Sequence, residues 1–244
     1  MFPFSYCLDK IDVLEETSYS FIHDNFLIRG LPVAVSDSLF DLNQSQNLIQ
    51  FIDDVTENMT GIVREEACSL HTNLMMSKYA TVDETFSILR KMTENYEILP
   101  PWFLSFRNCQ IQSVELILCL SEFIESSLGL TFQLKSSRLM MRKPYFYPTN
   151  LQAPSSSWIL MSQNYENYQN DLNLFGLVIV TQLKGSIKIT LKPKLACLNL
   201  CSDLILDLFS GESLIFLSNL WIFSYEFIPE KDFSLTFITE TDFI

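Results

Sequence analysis

The sequence predicts an α+β domain: helices occupy the first half of the chain, and a run of short antiparallel strands forms a sandwich or barrel behind them. Two patterns and one bulk property point there. Up to about residue 128, apolar residues mostly recur at the three-to-four spacing of amphipathic helices. From about residue 130, short β-rich runs alternate with turn residues, the signature of an all-β sandwich or barrel. Helices first and strands afterwards place the helices outside the sheets. The 244 residues are 48% hydrophobic and include 20 Phe, enough to fill one large core.

In chain order, Ile11, Val13, Leu14, Phe21 and Phe26 predict a helix over 8–28. Gly30 and Pro32 end it, and Val33-Ala34-Val35 starts a strand. A second helix is expected from Asn43 to Val55, and short strands over 60–80. Thr81 and Asp83 are suited to cap a helix over 81–97, whose apolar side is Phe86, Ile88, Leu89 and Met92. Pro100-Pro101 stops it. Val114, Leu116, Ile117, Leu120 and Phe123 predict a further helix over 110–128. Strands are then expected at 131–134, 138–141, 157–162, 173–182, 185–191, 203–208, 213–217, 220–227 and 233–239. The polar run Asn164 to Asn170 reads as a surface loop between two of them. The chain is expected to be one domain over 1–244, with helices and the first strand in 8–130 and the main strands in 131–244.

Charge and cysteine usage narrow the function. Sixteen basic residues stand against 29 acidic ones, a net charge of -13, which repels a phosphate backbone and excludes nucleic acid as a direct partner. The small basic cluster Lys135, Arg138, Arg142 and Lys143 reads as a solvated face. The six cysteines form no C-x-x-C, so a thiolate metal site is not expected; they read as buried free thiols of an intracellular protein, cytoplasmic or nuclear. Two sequons, Asn43-Gln44-Ser45 and Asn58-Met59-Thr60, leave a lumenal location open. The opening residues lack the charged start and sustained apolar run of a signal peptide, and no window has the length of a membrane span.

Three segments line up in one order with a known family. The run Phe26 to Val35 carries Arg29-Gly30-Leu31-Pro32-Val33, similar to an opening "RG-x-PVVI". Val180 to Pro193, with Gln182, Gly185 and Lys188, resembles a "Q-x-x-G-x-K-x-x-x-L-x-P" hairpin. Ser210 to Tyr225, with Gly211-Glu212 and Trp221, resembles "PGD-x-L-x-IP-x-x-WWH-x-V". Together these resemble the JmjC domain, a cupin of the double-stranded β-helix (jelly-roll) type with flanking helices. The match covers roughly residues 20–40 and 155–240.

The resemblance implies a metal site that these residues do not supply. Catalytic JmjC domains hold Fe(II) with an H-x-D/E pair and a distant His, leaving positions for 2-oxoglutarate and oxygen. By this alignment the distant ligand position is Ile222, and the proximal pair falls at Asp171 to Asn173. The 2-oxoglutarate-gripping lysine position is Ile187; Lys188 is adjacent, but one residue along a strand faces the other way. Only His23 and His71 exist in the chain, outside the matching strands. No cofactor and no catalytic residue is therefore assigned. Asp171, Asn173 and Gln182 make at most a weak hard-cation site, and a Ser or Cys dyad would have to borrow one of those two histidines.

The expected function is a non-catalytic JmjC-like scaffold acting through protein contacts, as a homodimer or with another protein, the helix at 110–128 being suited to the task. Trp102, Phe103 and Arg107 form a candidate interface, with core packing as the competing reading. The interior is expected to be filled by Ile222, Trp158, Phe175 and Phe216. Two alternatives stay open: an Fe(II)/2-oxoglutarate oxygenase with an atypical site, and a cupin-like small-molecule binder.

Overall fold

Two runs of the chain, Leu177–Lys184 and Ser234–Thr241, are buried at nearly every residue, so both of their faces must be covered. The computed structural model describes residues 8–38, 47–58, 68–75, 81–108, 145–146, 156–166, 169–194 and 202–241. Among them the strands are β1 (Asp12–Leu14), β2 (Val33–Val35), β3 (Ser69–Thr72), β4 (Trp102–Asn108), β5 (Ser156–Gln163), β6 (Gln169–Leu172), β7 (Leu177–Lys184), β8 (Ser186–Pro193), β9 (Leu204–Phe209), β10 (Ser213–Leu217), β11 (Trp221–Phe227) and β12 (Ser234–Thr241). The helices are α1 (Tyr19–Asn25), α2 (Leu48–Asn58) and α3 (Val82–Asn95), with a 3-10 turn at Leu27–Arg29.

The strands build a β-sandwich. An eight-stranded sheet runs β1-β2-β10-β7-β12-β5-β4-β3, and a four-stranded sheet runs β6-β11-β8-β9. All pairings are antiparallel except β1 with β2. Between the sheets lies one apolar core, to which the large sheet gives Trp158, Leu160, Val178, Val180, Leu214, Phe216 and Ile238. The other face of the large sheet is covered in two places. Leu48, Phe51, Ile52, Phe86 and Leu89 of α2 and α3 cover β4, β5 and β12; Ile22, Phe26 and Leu27 cover β2, β7 and β10. Among the described residues, the small sheet is packed against apolar side chains on its inner side. Along β8, Ile187, Ile189 and Leu191 point in while Lys188, Thr190 and Lys192 point out, as expected of a sheet with one wet face.

Local chemistry sets the element ends. Thr81 Oγ1 accepts from the Glu84 amide (3.2 Å) and Glu84 returns a bond to the Thr81 amide (3.0 Å), a capping box that starts α3 where the sequence expects it. The expected helix over 8–28 is corrected to its last third: Ser18 caps α1 at Tyr19, whereas Asp12–Leu14 is a strand. Val13 and its neighbours find backbone partners on β2, and strand pairing wins over helical spacing. The strand expected at Val33 is β2 and β3 falls within the short strands expected over 60–80, while β1 and β4 lie where no strand is expected; β3 and β4 extend the large sheet beyond β5. The polar run at Asn164 to Asn170 ends in β6, an edge strand that needs only Leu172 to face the core. The helix expected at 110–128, the strands at 131–134 and 138–141 and the basic cluster Lys135 to Lys143 lie outside the described residues.

The cysteine reading is also corrected. Cys68, just before β3, is disulfide-bonded, and its amide donates to the Arg107 carbonyl (3.1 Å).

The β7–β8 hairpin turns on Gly185, at φ +71°, where a Cβ would lie 3.1 Å from the Cα of Ser234. Gln182 anchors this turn from inside: its amide donates to the Lys184 carbonyl (2.6 Å) and Ser234 Oγ (2.9 Å) and accepts from Thr236 Oγ1 (2.6 Å). Gly185→Ala should cost about 1–3 kcal/mol from backbone strain and crowding, seen as a lower denaturation midpoint at unchanged slope. A further effect concerns pH. Tyr145 donates to Asp37 Oδ1 (2.6 Å) and accepts from the Thr17 amide (3.2 Å); burial and the Asp37 bond push its pKa to about 12. Above its ordinary pKa of 10.0 the unfolded chain loses this proton while the folded chain keeps it, so stability falls as pH rises from 10.0 toward about 12. Melting temperatures across that window should fall less steeply in Tyr145→Phe than in the parent.

Candidate functional site

The positions matched to the metal site converge on adjoining strands of the small sheet, but most lie on its outer face. On β6, Asp171 stands opposite Ser224 of β11 and accepts its hydroxyl. Ile222 stands opposite Lys192, part-exposed on the same outer face. Asn173 follows β6 and is exposed. Lys188 is half-exposed and lies 3.6 Å from Glu226. Of the five positions, Ile187 alone points inward, opposite Phe227. The expectation that Ile222 and Phe175 fill the interior is therefore corrected. A strand alternates its faces residue by residue, so the side chains that point inward at the Ile222 level are Trp221 and Phe223, with Leu172 and Leu191 beside Phe223.

Aromatic rings occupy this part of the interior. Phe216 and Phe223 stack at 5.8 Å with 6° between planes. Tyr225 contacts Phe223 (6.3 Å) and Phe227 (5.2 Å), and Phe103 packs on Phe227 (6.0 Å) and Tyr165 (4.8 Å). Apart from the Tyr165 and Tyr225 phenols these are hydrocarbon and ring faces, which supply no lone pair for Fe(II), and among the described residues no three His, Cys, Asp or Glu side chains converge on a metal position. The two histidines do not meet. His23 sits on α1 over one end of the large sheet, bonded to Asp24 (2.8 Å); His71 sits on β3 at the opposite edge, bonded to Ser69 Oγ (3.0 Å). Two buried hydroxyls, Ser105 and Ser162, share the inner faces of β4 and β5 with Phe103 and Leu160 and have no hydrogen-bond partner among the described residues.

The candidate interface residues divide. Trp102 and Phe103 are buried, on opposite faces of β4, so packing in the two cores is their observed role and neither meets solvent. Arg107 is different. Its side chain, 20% exposed, donates to Glu240 Oε2 (2.7 Å) across β5. Glu240 is fully buried and also accepts from Trp158 Nε1 (2.9 Å) and the Phe175 amide (3.3 Å). The guanidinium lies 5.7 Å from the Trp158 ring and 5.5 Å from that of Phe175. Phe175, expected inside, is instead 55% exposed on the β6–β7 connector. This corner offers a fixed cation and an exposed ring, and its carboxylate, Glu240, is fully buried and taken up by three donors. Nothing in the sequence pairs Arg107 with Glu240, 133 residues apart. The one available signal is a carboxylate near the end of the apolar run 234–241.

No protein-family model matches this chain, and neither does any curated protein. Among solved structures it is similar to the Drosophila melanogaster CENP-C cupin domain at 9% identity and a TM-score of 0.28, over 38% of this chain and 65% of that one. The chain thus spans less than two thirds of that domain's length.

Arg107→Ala should destabilise the fold by about 3–5 kcal/mol, because it removes the guanidinium that lies 2.7 Å from the buried Glu240 carboxylate. Adding Glu240→Gln should recover part of that loss. Chemical denaturation of both single variants and the double variant measures the coupling.

Proposed function

We propose that this chain is a JmjC-like, double-stranded β-helix domain that has no oxygenase chemistry and serves as a scaffold through protein–protein contacts. The observation that carries this reading is the set of inward side chains on β6, β8 and β11. At the level where an iron would be held they are Leu172, Leu191 and Phe223, and at the cosubstrate position Ile187. Strand order supports the fold half. From β5 to β12, four strands run 5-12-7-10 within one sheet and four run 6-11-8-9 in the other, the arrangement a two-sheet jelly roll requires. For the contact half, Arg107 and Phe175 offer the residue types that anchor protein interfaces. A second copy of the chain or another protein could take that corner.

A small-molecule reading is favoured by one observation. Ser105 and Ser162 place two unpaired hydroxyls between the sheets, and buried polar groups ordinarily find a partner. A ligand with a hydrogen-bonding head and an apolar body would satisfy them.

Elemental analysis and calorimetry of the purified protein separate these readings. The scaffold predicts no stoichiometric iron and no heat with 2-oxoglutarate. Near-equimolar iron with tight 2-oxoglutarate binding would overturn it in favour of an oxygenase. A co-purifying organic ligand, found by mass spectrometry and lost in Ser105→Val, would favour the binder.

A further inference from the structure

Strand β9 ends the four-stranded sheet: among the described residues it pairs with β8 and has no neighbour on its other side. Its residues Leu204 and Leu208 belong to the core, while Ile205, Asp207 and Phe209 point out. Ile205 is 64% exposed and Phe209 55%, and large apolar side chains so exposed on an edge strand invite pairing with another chain. The opposite edge of the same sheet is built otherwise, since β6 is polar at Gln169, Asn170 and Asp171.

The backbone of β9 suits the same task. The Phe209 amide donates to Glu212 Oε2 (2.8 Å) and its carbonyl accepts from the Glu212 amide (2.9 Å), so both groups turn away from β8. Ladder groups alternate sides along a strand, which puts the amides and carbonyls of Ile205 and Asp207 on that same outer edge. Charge then selects the occupant. Lys188 stands opposite Asp207 in the ladder, but its Nζ lies with Glu226 (3.6 Å), and among the described residues no cation reaches the Asp207 carboxylate. A second copy of the chain fits poorly. Pairing that sets Ile205 on Phe209 about a two-fold axis sets Asp207 against Asp207, and each copy carries a net charge of -13. We propose that β9 is a docking edge for an extended segment of another protein, which adds as a further strand with Lys or Arg facing Asp207 and apolar residues two positions to either side facing Ile205 and Phe209. The proposal rests on the scaffold reading and names the surface and the chemistry of its partner.

The test uses the full chain and an end-blocked peptide, Thr-Val-Thr-Lys-Thr-Val-Thr, followed by NMR and amide exchange. The expected result is saturable binding that slows exchange of the Ile205 and Asp207 amides. Replacing the peptide's Lys by Glu should weaken binding about fivefold or more, because an opposite-charge pair becomes a like-charge one. Asp207→Lys, a change at an exposed position, should reverse that preference. N-methylation of the peptide's Lys and Val amides should abolish binding. No saturable binding at millimolar peptide, equal binding of the Lys and Glu peptides, or protection elsewhere than on β9 overturns the proposal. A dimer found by sedimentation equilibrium and broken by Ile205→Lys also overturns it, giving the edge to a second copy. Iron and 2-oxoglutarate binding test the scaffold reading separately, so a protein that binds neither and ignores the peptide loses the docking edge alone.

Discussion

The structure depends on burying both faces of β7 and β12. A strand with two buried faces has nowhere to put an unpaired polar group, and the polar side chains of this pair follow that constraint. Gln182 uses both amide hydrogens and its carbonyl on Lys184, Ser234 and Thr236. Glu240 accepts from Arg107, Trp158 and Phe175. The same demand explains why three bodies pack against one sheet. The four-stranded sheet covers the inner face, and the α1 and α2–α3 groups divide the outer one. Remove any of these covers and about 25 cal/mol is lost for each Å² of apolar surface returned to water.

That difference between sheets governs how much of the fold is legible in the sequence. Strands of the small sheet alternate, as in Ser186-Ile187-Lys188-Ile189-Thr190-Leu191, and their β-rich runs between turn residues place β8, β9 and β11 within a residue or two of their observed ends. Helix α3 is equally plain, because Thr81 and Glu84 announce its start. The first thirty residues mislead. Val13 and Leu14 sit where a helix would want them, yet their partners on β2, Ala34 and Val35, are 21 residues ahead, and local spacing carries no trace of that pairing. Strand β6 misleads in the opposite way. At a sheet edge with a wet outer face, Gln169, Asn170 and Asp171 can be polar, and composition then looks like a loop.

The candidate site shows where a motif match stops being informative. Aligning Trp221-Ile222 to a ligand-bearing motif puts that position on β11, and Asp171 lies on the adjoining β6. Facing is a finer property, decided by one residue of register, and here the wall of the interior is Trp221 and Phe223. The chemical argument survives the shift. Neither register places a histidine on β6, β8 or β11, and the inward set on those strands is apolar but for the Tyr225 phenol. The stacked pair Phe216–Phe223 joins the two sheets at this level, so the space a metal would need is bridged by ring contacts.

Arg107 ties the interior to the edge. Its carbonyl receives the Cys68 amide, which fixes the start of β3, while its side chain crosses beneath β5 to Glu240 on β12. Phe175 reaches the guanidinium from the connector between the sheets, with its ring half in solvent. A slip of β4 by one residue would therefore break a backbone bond, a buried ion pair and a ring contact together. Long side chains on a surface usually lose rotamer freedom when a partner binds, at about 0.5–1.5 kcal/mol each. Here that ordering is already done by Glu240 and Trp158, which hold the cation and the ring in place. The rigidity of this corner is supplied by the same network that keeps a buried carboxylate in the core.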